Sequence, residues 1–235
     1  MSIYEKRTLA CPHCGHEVEK SVAVSLNAAR ARVQRQAILD GTFQRFECET
    51  CHERFRADGP LIYIDFDRKV WIGVFPAPWE SAWWKHEQEP ARAFQRNIEE
   101  NSPPMVKEWA PGFVIRAVFG LEGLREKLVA HEAGIDDRAL EAYKLDLLRG
   151  MGPYELSRRA RPRLRKVEGG ELFFHVPRPE PGNPGRVAMV RVAAAELARI
   201  EANRAAWAPT LDTLSEGPYV DLGRIFIPVT ADQAA

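Results

Sequence analysis

The clearest pattern of apolar and polar positions along the chain lies in the segment 61–75. Two runs rich in β-branched and aromatic residues flank a short polar break at 67–69. Runs of this composition on either side of a polar turn are typical of two antiparallel strands joined as a hairpin. Both faces of this hairpin are largely apolar, so the sequence predicts that other elements cover each side.

Helical spacing predicts a helix upstream of the hairpin, over residues 27–39. Asn27 is suited to cap its start and Gly41 to end it. The apolar positions that recur at helical spacing are Leu26, Ala29, Val33 and Ala37. The polar side carries three arginines, Arg30, Arg32 and Arg35. These arginines form either a solvated face or a binding surface, and the pattern leaves both interpretations open.

Downstream of the hairpin, the pattern predicts an alternation of helices and strands. The helical segments are 80–89 with a restart at Pro90, 121–131, 136–149 and 194–206. The strand segments are 113–119, 172–176, 187–192 and 224–227. The turn-forming residues 150–153 coincide with a change in charge character, which predicts a boundary between a first domain, 1–150, and a second, 151–235.

Composition is that of a globular protein, and the overall charge names no partner. The chain has 235 residues, in which 33 Lys and Arg balance 33 Asp and Glu. It therefore lacks the positive field of a dedicated duplex-binding domain. No run approaches the roughly 18 apolar residues of a membrane span, and residues 1–10 have no apolar signal-peptide core. We therefore expect a cytoplasmic protein that does not bind a membrane.

All four cysteines fall in two Cys-x-x-Cys pairs, which lets two thiolates of one tight turn reach the same ion. In a reducing compartment, paired cysteines indicate metal rather than disulfides. We predict one structural zinc ion per chain, with a redox pair or an iron–sulfur cluster as the alternatives. The predicted ligands are Cys11, Cys14, Cys48 and Cys51. Four thiolates would close the coordination sphere and leave no position for catalysis.

A dense basic run lies between residues 158 and 166. Its members are Arg158, Arg159, Arg161, Arg163, Arg165 and Lys166. Guanidinium groups bind phosphates in pairs, which makes the run a candidate nucleic-acid contact. Pro162 and Leu164 within the run are also consistent with a linker that passes into a strand. The sequence does not decide between these two interpretations.

The cysteine pairs and their surroundings resemble the bacterial CpXC family, which is named for its Cys-Pro-x-Cys motifs. The residues that carry the resemblance are Cys11-Pro12-His13-Cys14, the helix that ends in Asp40-Gly41-Thr42-Phe43, and Cys48-x-x-Cys51. Residues 118–120, 124–128 and 135–144 are similar in kind to the second half of the family, so the resemblance covers about 1–150. It implies metal-binding cysteines and no established activity. Glu49 stands where a second Cys-Pro-x-Cys motif would place proline.

The predicted fold class is α+β. Residues 8–58 would form a zinc-ribbon-like unit with an inserted helix, residues 59–150 a small, mostly antiparallel sheet with packed helices, and residues 151–235 a C-terminal α+β extension. No phosphate loop or hydrolase motif occurs. We therefore predict a non-enzymatic zinc-binding protein with a protein-interaction or regulatory adaptor role, whose partner is another protein. The alternatives are a nucleic-acid-associated adaptor that uses 158–166 and an enzyme whose site no motif marks.

Overall fold

The computed structural model describes residues 2–150, 161–178, 182–183 and 185–229. The chain divides into two compact units. The first unit is Met1–Glu80 with His86–Leu124, and the second is Ser81–Lys85 with Arg125–Ala235. The division at Leu124 falls inside the helix Gly120–Glu132. The boundary predicted at 150–153 lies further along the chain, at the end of the helix Asp137–Gly150.

The first unit is built on a five-stranded sheet and a small two-stranded sheet. Its strands are β1 (Ile3–Ala10), β2 (Glu17–Asn27), β3 (Arg45–Glu47), β4 (Arg54–Arg56), β5 (Leu61–Asp65), β6 (Val70–Phe75) and β7 (Val114–Phe119). The order in the large sheet is β1-β2-β5-β6-β7, and β3 pairs with β4. The pairs β1/β2 and β5/β6 are antiparallel, whereas β2/β5 and β6/β7 are parallel. The central sheet is therefore mixed rather than mostly antiparallel.

Two crossover connections make the parallel pairs possible. The chain passes from β2 to β5 through α1 (Arg32–Asp40) and the β3–β4 hairpin. It passes from β6 to β7 through four helical pieces: a 3₁₀ segment (Ala77–Lys85), α2 (Glu89–Phe94), a π-helical turn (Gln95–Glu100) and α3 (Pro104–Lys107). A Cβ at Gly73 would collide with the ring of Pro90, so this glycine lets the start of α2 approach β6.

The predicted hairpin at 61–75 is confirmed, and its apolar character has the expected cause. Trp71 is 3% exposed and packs with Phe94 and Ile98, whereas Tyr63 and Ile72 are at most 1% exposed. Both faces of the hairpin are thus covered. The strand predicted at 113–119 is likewise confirmed, as β7.

The helix predicted over 27–39 is wrong at its start. Asn27 ends β2, and α1 begins five residues later at Arg32. Leu26 is a buried strand residue, whereas Val33 is 78% exposed. Pairing of β2 with strands on both sides satisfies its backbone groups and overrides the helical spacing. The end of the helix is as predicted, because Gly41 has φ 74° in the left-handed conformation.

The second unit packs helices on a three-stranded antiparallel sheet. Its helices are α4 (Gly120–Glu132), which begins in the first unit, α5 (Asp137–Gly150), α6 (Ala195–Ala202), α7 (Arg204–Ser215) and α8 (Gly223–Phe226). Its strands are β8 (Arg163–Glu168), β9 (Glu171–Pro177) and β10 (Val187–Ala193), in the order β10-β9-β8. The core includes Leu140, Leu172, Phe174 and Leu211. None of the helices in the described part of the chain is long and apolar enough to cross a membrane.

Two sequence predictions in this unit need correction. The segment 224–227 is not a strand, because Arg224 lies in the short helix α8 and donates from Nε to the carbonyl oxygen of Tyr219 at 3.0 Å. Its guanidinium also lies 4.3 Å from the ring centre of Trp83. The predicted helix 194–206 is two helices that meet at Asn203.

Candidate metal centre

Each cysteine pair occupies the turn of one hairpin, and the two turns are built alike. Cys11 and Cys14 lie between β1 and β2, and the other pair lies between β3 and β4. The N–H of Gly15 donates to the carbonyl oxygen of Cys11 at 2.8 Å. The N–H of His52 donates to the carbonyl oxygen of Cys48 at 2.9 Å. These matching bonds fold each turn back so that both sulfurs face the same point.

The four sulfurs form a compact group. The Sγ atoms of Cys11 and Cys51 are 3.7 Å apart, and those of Cys14 and Cys48 are 3.6 Å apart. All four lie within 4.8 Å of one another. A metal ion with bonds of about 2.3 Å to four sulfurs at tetrahedral angles places those sulfurs about 3.8 Å apart. A disulfide needs about 2.05 Å. The arrangement therefore fits one metal ion, and all four cysteines are free thiols.

The backbone around the sulfurs prepares them unequally for ionisation. The N–H groups of Cys51 and Thr50 lower the pKa of Cys48 to about 6. At Cys51, the N–H of Glu53 favours the thiolate, but burial and the neighbouring sulfurs raise the pKa to about 12. Four thiolates this close repel one another, so full ionisation requires a cation among them. A metal ion that binds here therefore displaces protons.

A small apolar cluster and one ion pair support the two turns. Cys11 and Cys48 are at most 2% exposed and pack with Val18 and Phe55. The carboxylate of Glu49, which replaces the expected proline, lies 2.8 Å from the ammonium of Lys20 in β2. This contact ties the second turn to the strand that follows the first turn. The N-terminal part of the chain is thus a zinc-ribbon-like unit.

A comparison with protein families agrees with this architecture. A family model described as CpXC protein matches residues 9–144, more than half of the chain. The chain belongs to the CpXC family. The CpXC match takes in both cysteine turns and the hairpin, and it ends within α5, so the sheet β8–β10 lies outside it. A search of the curated proteins and of the solved structures found no match.

The basic run of this CpXC protein divides between exposed and buried positions. Arg158 and Arg159 lie outside the described residues. Arg161 is 6% exposed and pairs with Asp221. Arg163 lies 2.7 Å from the same carboxylate. Arg165 is half-buried, and Lys166 is exposed and pairs with Glu168 at 2.6 Å. Carboxylates of the second unit thus neutralise Arg161 and Arg163, and nucleic-acid binding by the run stays a prediction.

The second unit contains a buried charge network that the sequence motifs did not predict. The carboxylates of Glu126, Glu141 and Asp221 lie within 4.8 Å of one another, and all three residues are buried. The ammonium of Lys144 lies 3.1 Å from Glu126 and 2.9 Å from Glu141, so cations of the chain already neutralise the group. Burial would raise the pKa of Glu126, but Lys144 and Arg163 lower it. The network is therefore structural, not a second metal site.

One sequence signal could have revealed this network. Glu141 and Lys144 lie three residues apart on α5, and both are 0% exposed. Leu148, also buried, follows Lys144 by four residues on the same helix face. An acid and a base on an otherwise apolar face need internal partners, because a buried charge is costly unless it is paired. Asp136, by contrast, caps α5, since its Oδ1 accepts the N–H of Arg138 at 2.9 Å.

Proposed function

We propose that the protein is a non-enzymatic zinc-binding protein in which one structural zinc ion holds the ribbon of residues 8–58. The main support for this proposal is the group of four sulfurs, in which the Sγ atoms of Cys14 and Cys48 are 3.6 Å apart and those of Cys11 and Cys51 are 3.7 Å apart. Thiolate ligands in a tetrahedral set favour zinc, and four of them leave no open coordination position for a substrate. Thiols stay reduced in the cytoplasm, which supports that compartment.

The adaptor role that we propose rests on a cleft over the hairpin in the first unit. The cleft has a volume of about 370 Å³, and its floor is apolar. The apolar lining residues are Val24, Pro60, Leu61, Ile62, Val74, Phe75 and Ala93. Arg92 and Arg96 stand on its rim, exposed and one helical turn apart. Neither arginine has an ion pair in the part of the chain that the structure describes.

The chemistry of this cleft favours a protein partner that presents an acidic segment with apolar side chains. The two rim acids already have partners, because Glu5 lies 2.9 Å from Arg7 and Glu89 lies 2.7 Å from His86. Three arginines of the cleft, Arg7, Arg92 and Arg96, face these two acids, so one net positive charge remains above an apolar floor. Carboxylates of the partner would meet Arg92 and Arg96 while its apolar side chains cover the hairpin.

Affinity capture from the native host tests this role. Half of the sample is treated with nuclease, and the bait is the wild-type chain, Arg92→Glu, Arg96→Glu or the control Arg204→Glu. Arg204 is exposed on α7 and lies outside the cleft. We expect a protein that survives nuclease, is lost with either rim variant and is retained by the control.

Other outcomes of the same capture contradict the proposal. A partner that disappears with nuclease favours the nucleic-acid alternative, for which the basic run 158–166 is the candidate surface. A partner that both rim variants retain shows that the cleft is not the docking site. Capture of neither protein nor nucleic acid leaves an enzyme as the better hypothesis.

A further inference from the structure

A second cleft in the first unit lies where two parallel strands end. It has a volume of about 580 Å³. β2 ends at Asn27, which lies opposite Ile64 near the end of β5, and α1 begins beside them at Arg32. The cleft is lined by the loop after β2, the first half of α1 and the β5–β6 turn. In folds with parallel strands, ligands bind at the carboxyl ends of the strands, where helices begin.

Three of the residues that line this cleft are arginines. Arg32, Arg35 and Arg68 line it. The carboxylate of Asp65, which is 1% exposed, lies 3.1 Å from Arg68 and 3.7 Å from Arg35. The N–H of Arg68 also donates to Asp65 at 3.1 Å. One buried carboxylate therefore orients two guanidinium groups at the wall of the cleft before any ligand arrives.

The charge of the cleft is positive after its own acids are counted. Three arginines face two acids, Asp65 and the exposed Asp67, so one positive charge remains. Arg32 is exposed and has no ion pair among residues 2–150, 161–178, 182–183 and 185–229. No side chain caps the first turn of α1, which adds the positive end of the helix dipole to the same side.

We propose that this cleft binds the phosphate group of a small phosphorylated molecule. Guanidinium groups form paired, charge-assisted hydrogen bonds with phosphate oxygens, and three of them surround the site. A volume of about 580 Å³ exceeds that of a phosphate alone. It falls within the roughly 300–1,000 Å³ of small-molecule pockets, so the cleft also has room for an organic body. The site shares no lining residue with the cleft over the hairpin, so either proposal can fail alone.

Calorimetric titration of the full chain with inorganic phosphate at low salt tests this site. We expect saturable binding that Arg32→Ala weakens roughly tenfold, because a hydrogen bond to a charged group is lost. Asp67→Asn should tighten binding a few-fold, since it removes the acid that opposes the ligand. The control Arg204→Ala removes an exposed arginine outside both clefts and should leave binding unchanged. Arg32 is exposed, so its variant should keep the wild-type melting temperature.

The same titration with adenosine monophosphate tests the class of ligand. Adenosine monophosphate that binds at least as tightly as phosphate, with the same dependence on Arg32, supports a small phosphorylated ligand. Binding of phosphate with exclusion of adenosine monophosphate overturns that class. An absence of saturable binding, or equal affinity in the wild-type chain and Arg32→Ala, overturns the site.

Discussion

Gly15 and His52 hold equivalent positions directly after the two cysteine pairs, and both have left-handed backbone. Their φ angles are 75° and 58°. Each N–H donates to the carbonyl oxygen four residues earlier, that of Cys11 or Cys48. Glycine adopts this conformation without steric cost, whereas a side chain there meets its own backbone. The second turn therefore keeps the geometry of the first at some cost in stability.

This equivalence predicts that His52→Gly stabilises the protein. The substitution removes the left-handed strain at position 52, and we expect a gain of up to about 1 kcal/mol in the free energy of unfolding of the ribbon. The substitution also removes a contact between the side chains of His52 and Glu47, which are 76% and 54% exposed. Exposed pairs contribute little. Denaturant unfolding of the metal-loaded chain measures the change.

Two matched variants control this experiment. Gly15→Ala places a side chain on the same backbone conformation, and we expect it to lower the free energy of unfolding by about 1–2 kcal/mol. His13 lies between Cys11 and Cys14, and its φ is not positive. We therefore expect His13→Gly to lower the free energy of unfolding, because glycine is more flexible in the unfolded chain. Stabilisation by His13→Gly equal to that by His52→Gly would contradict the explanation.

Removal of the metal should open the ribbon and spare the hairpin. The apolar cluster around the sulfurs is small, and β3 and β4 have three residues each. β5 and β6, in contrast, contribute residues such as Tyr63 and Ile72 that are at most 1% exposed. We expect a chelator to speed amide hydrogen exchange in 45–56 while 61–75 stays protected. Unchanged exchange in 45–56 would contradict a structural role of the metal.

The buried network predicts a large effect of Glu126→Gln. Glu126 accepts hydrogen bonds from Lys144 at 3.1 Å, Arg163 at 2.8 Å and the N–H of Leu164 at 2.7 Å. Loss of its charge leaves buried cations without compensation, and we expect destabilisation of about 3–5 kcal/mol. The control is Glu168→Gln, which breaks an exposed pair and should change stability by less than about 1 kcal/mol. Thermal unfolding compares the two variants.

The surroundings of Asp221 predict how the free energy of unfolding depends on pH. Burial would raise the pKa of Asp221, but Arg161 and Arg163 hold it well below its ordinary value of 3.8. The folded carboxyl therefore binds a proton less readily than the unfolded one. Its contribution is fully present above about pH 4 and is lost as the pH falls through the folded value. We expect the free energy of unfolding of the wild-type chain to decrease below about pH 4.

The variant Asp221→Asn tests this contribution. The pKa of Glu126 is lowered and acts in the same direction, whereas burial raises the pKa of Glu141, which acts in the opposite direction. The charge of Asp221 raises the pKa of both groups, so the difference between the two chains reports Asp221 together with its effect on Glu126 and Glu141. That difference should shrink as the pH falls below about 4. A difference that stays constant down to pH 2 would show that Asp221 does not titrate in this way.

The sequence predicted the elements whose patterns are local. The β5–β6 hairpin, the helix end at Gly41 and the cysteine turns depend on residues near one another in the chain. The strand β2 was missed because its pairing with β1 and β5 comes from distant segments, and helical spacing at Leu26 and Val33 misled the assignment. The central sheet was predicted with too few parallel pairs for the same reason, since parallel pairing depends on long crossovers.

The two arginine clusters show the same limit. The run 158–166 stood out in the sequence, yet its Arg161 and Arg163 lie in ion pairs with acids from distant parts of the chain. The arginines of α1 were seen as a solvated face or a binding surface. Only the fold brings Arg68, from the β5–β6 turn, beside Arg32 and Arg35 in one cleft. Spacing along one helix does not contain that information.

Metal analysis of the purified chain tests the central claim most directly. Native mass spectrometry of the full chain, expressed without added metal, should show one zinc ion per chain, bound with loss of protons from the thiols. Replacement of any one of Cys11, Cys14, Cys48 and Cys51 by serine should weaken zinc binding strongly. Less than half an equivalent of zinc, or retention of the ion after the loss of two of these cysteines, would contradict the account.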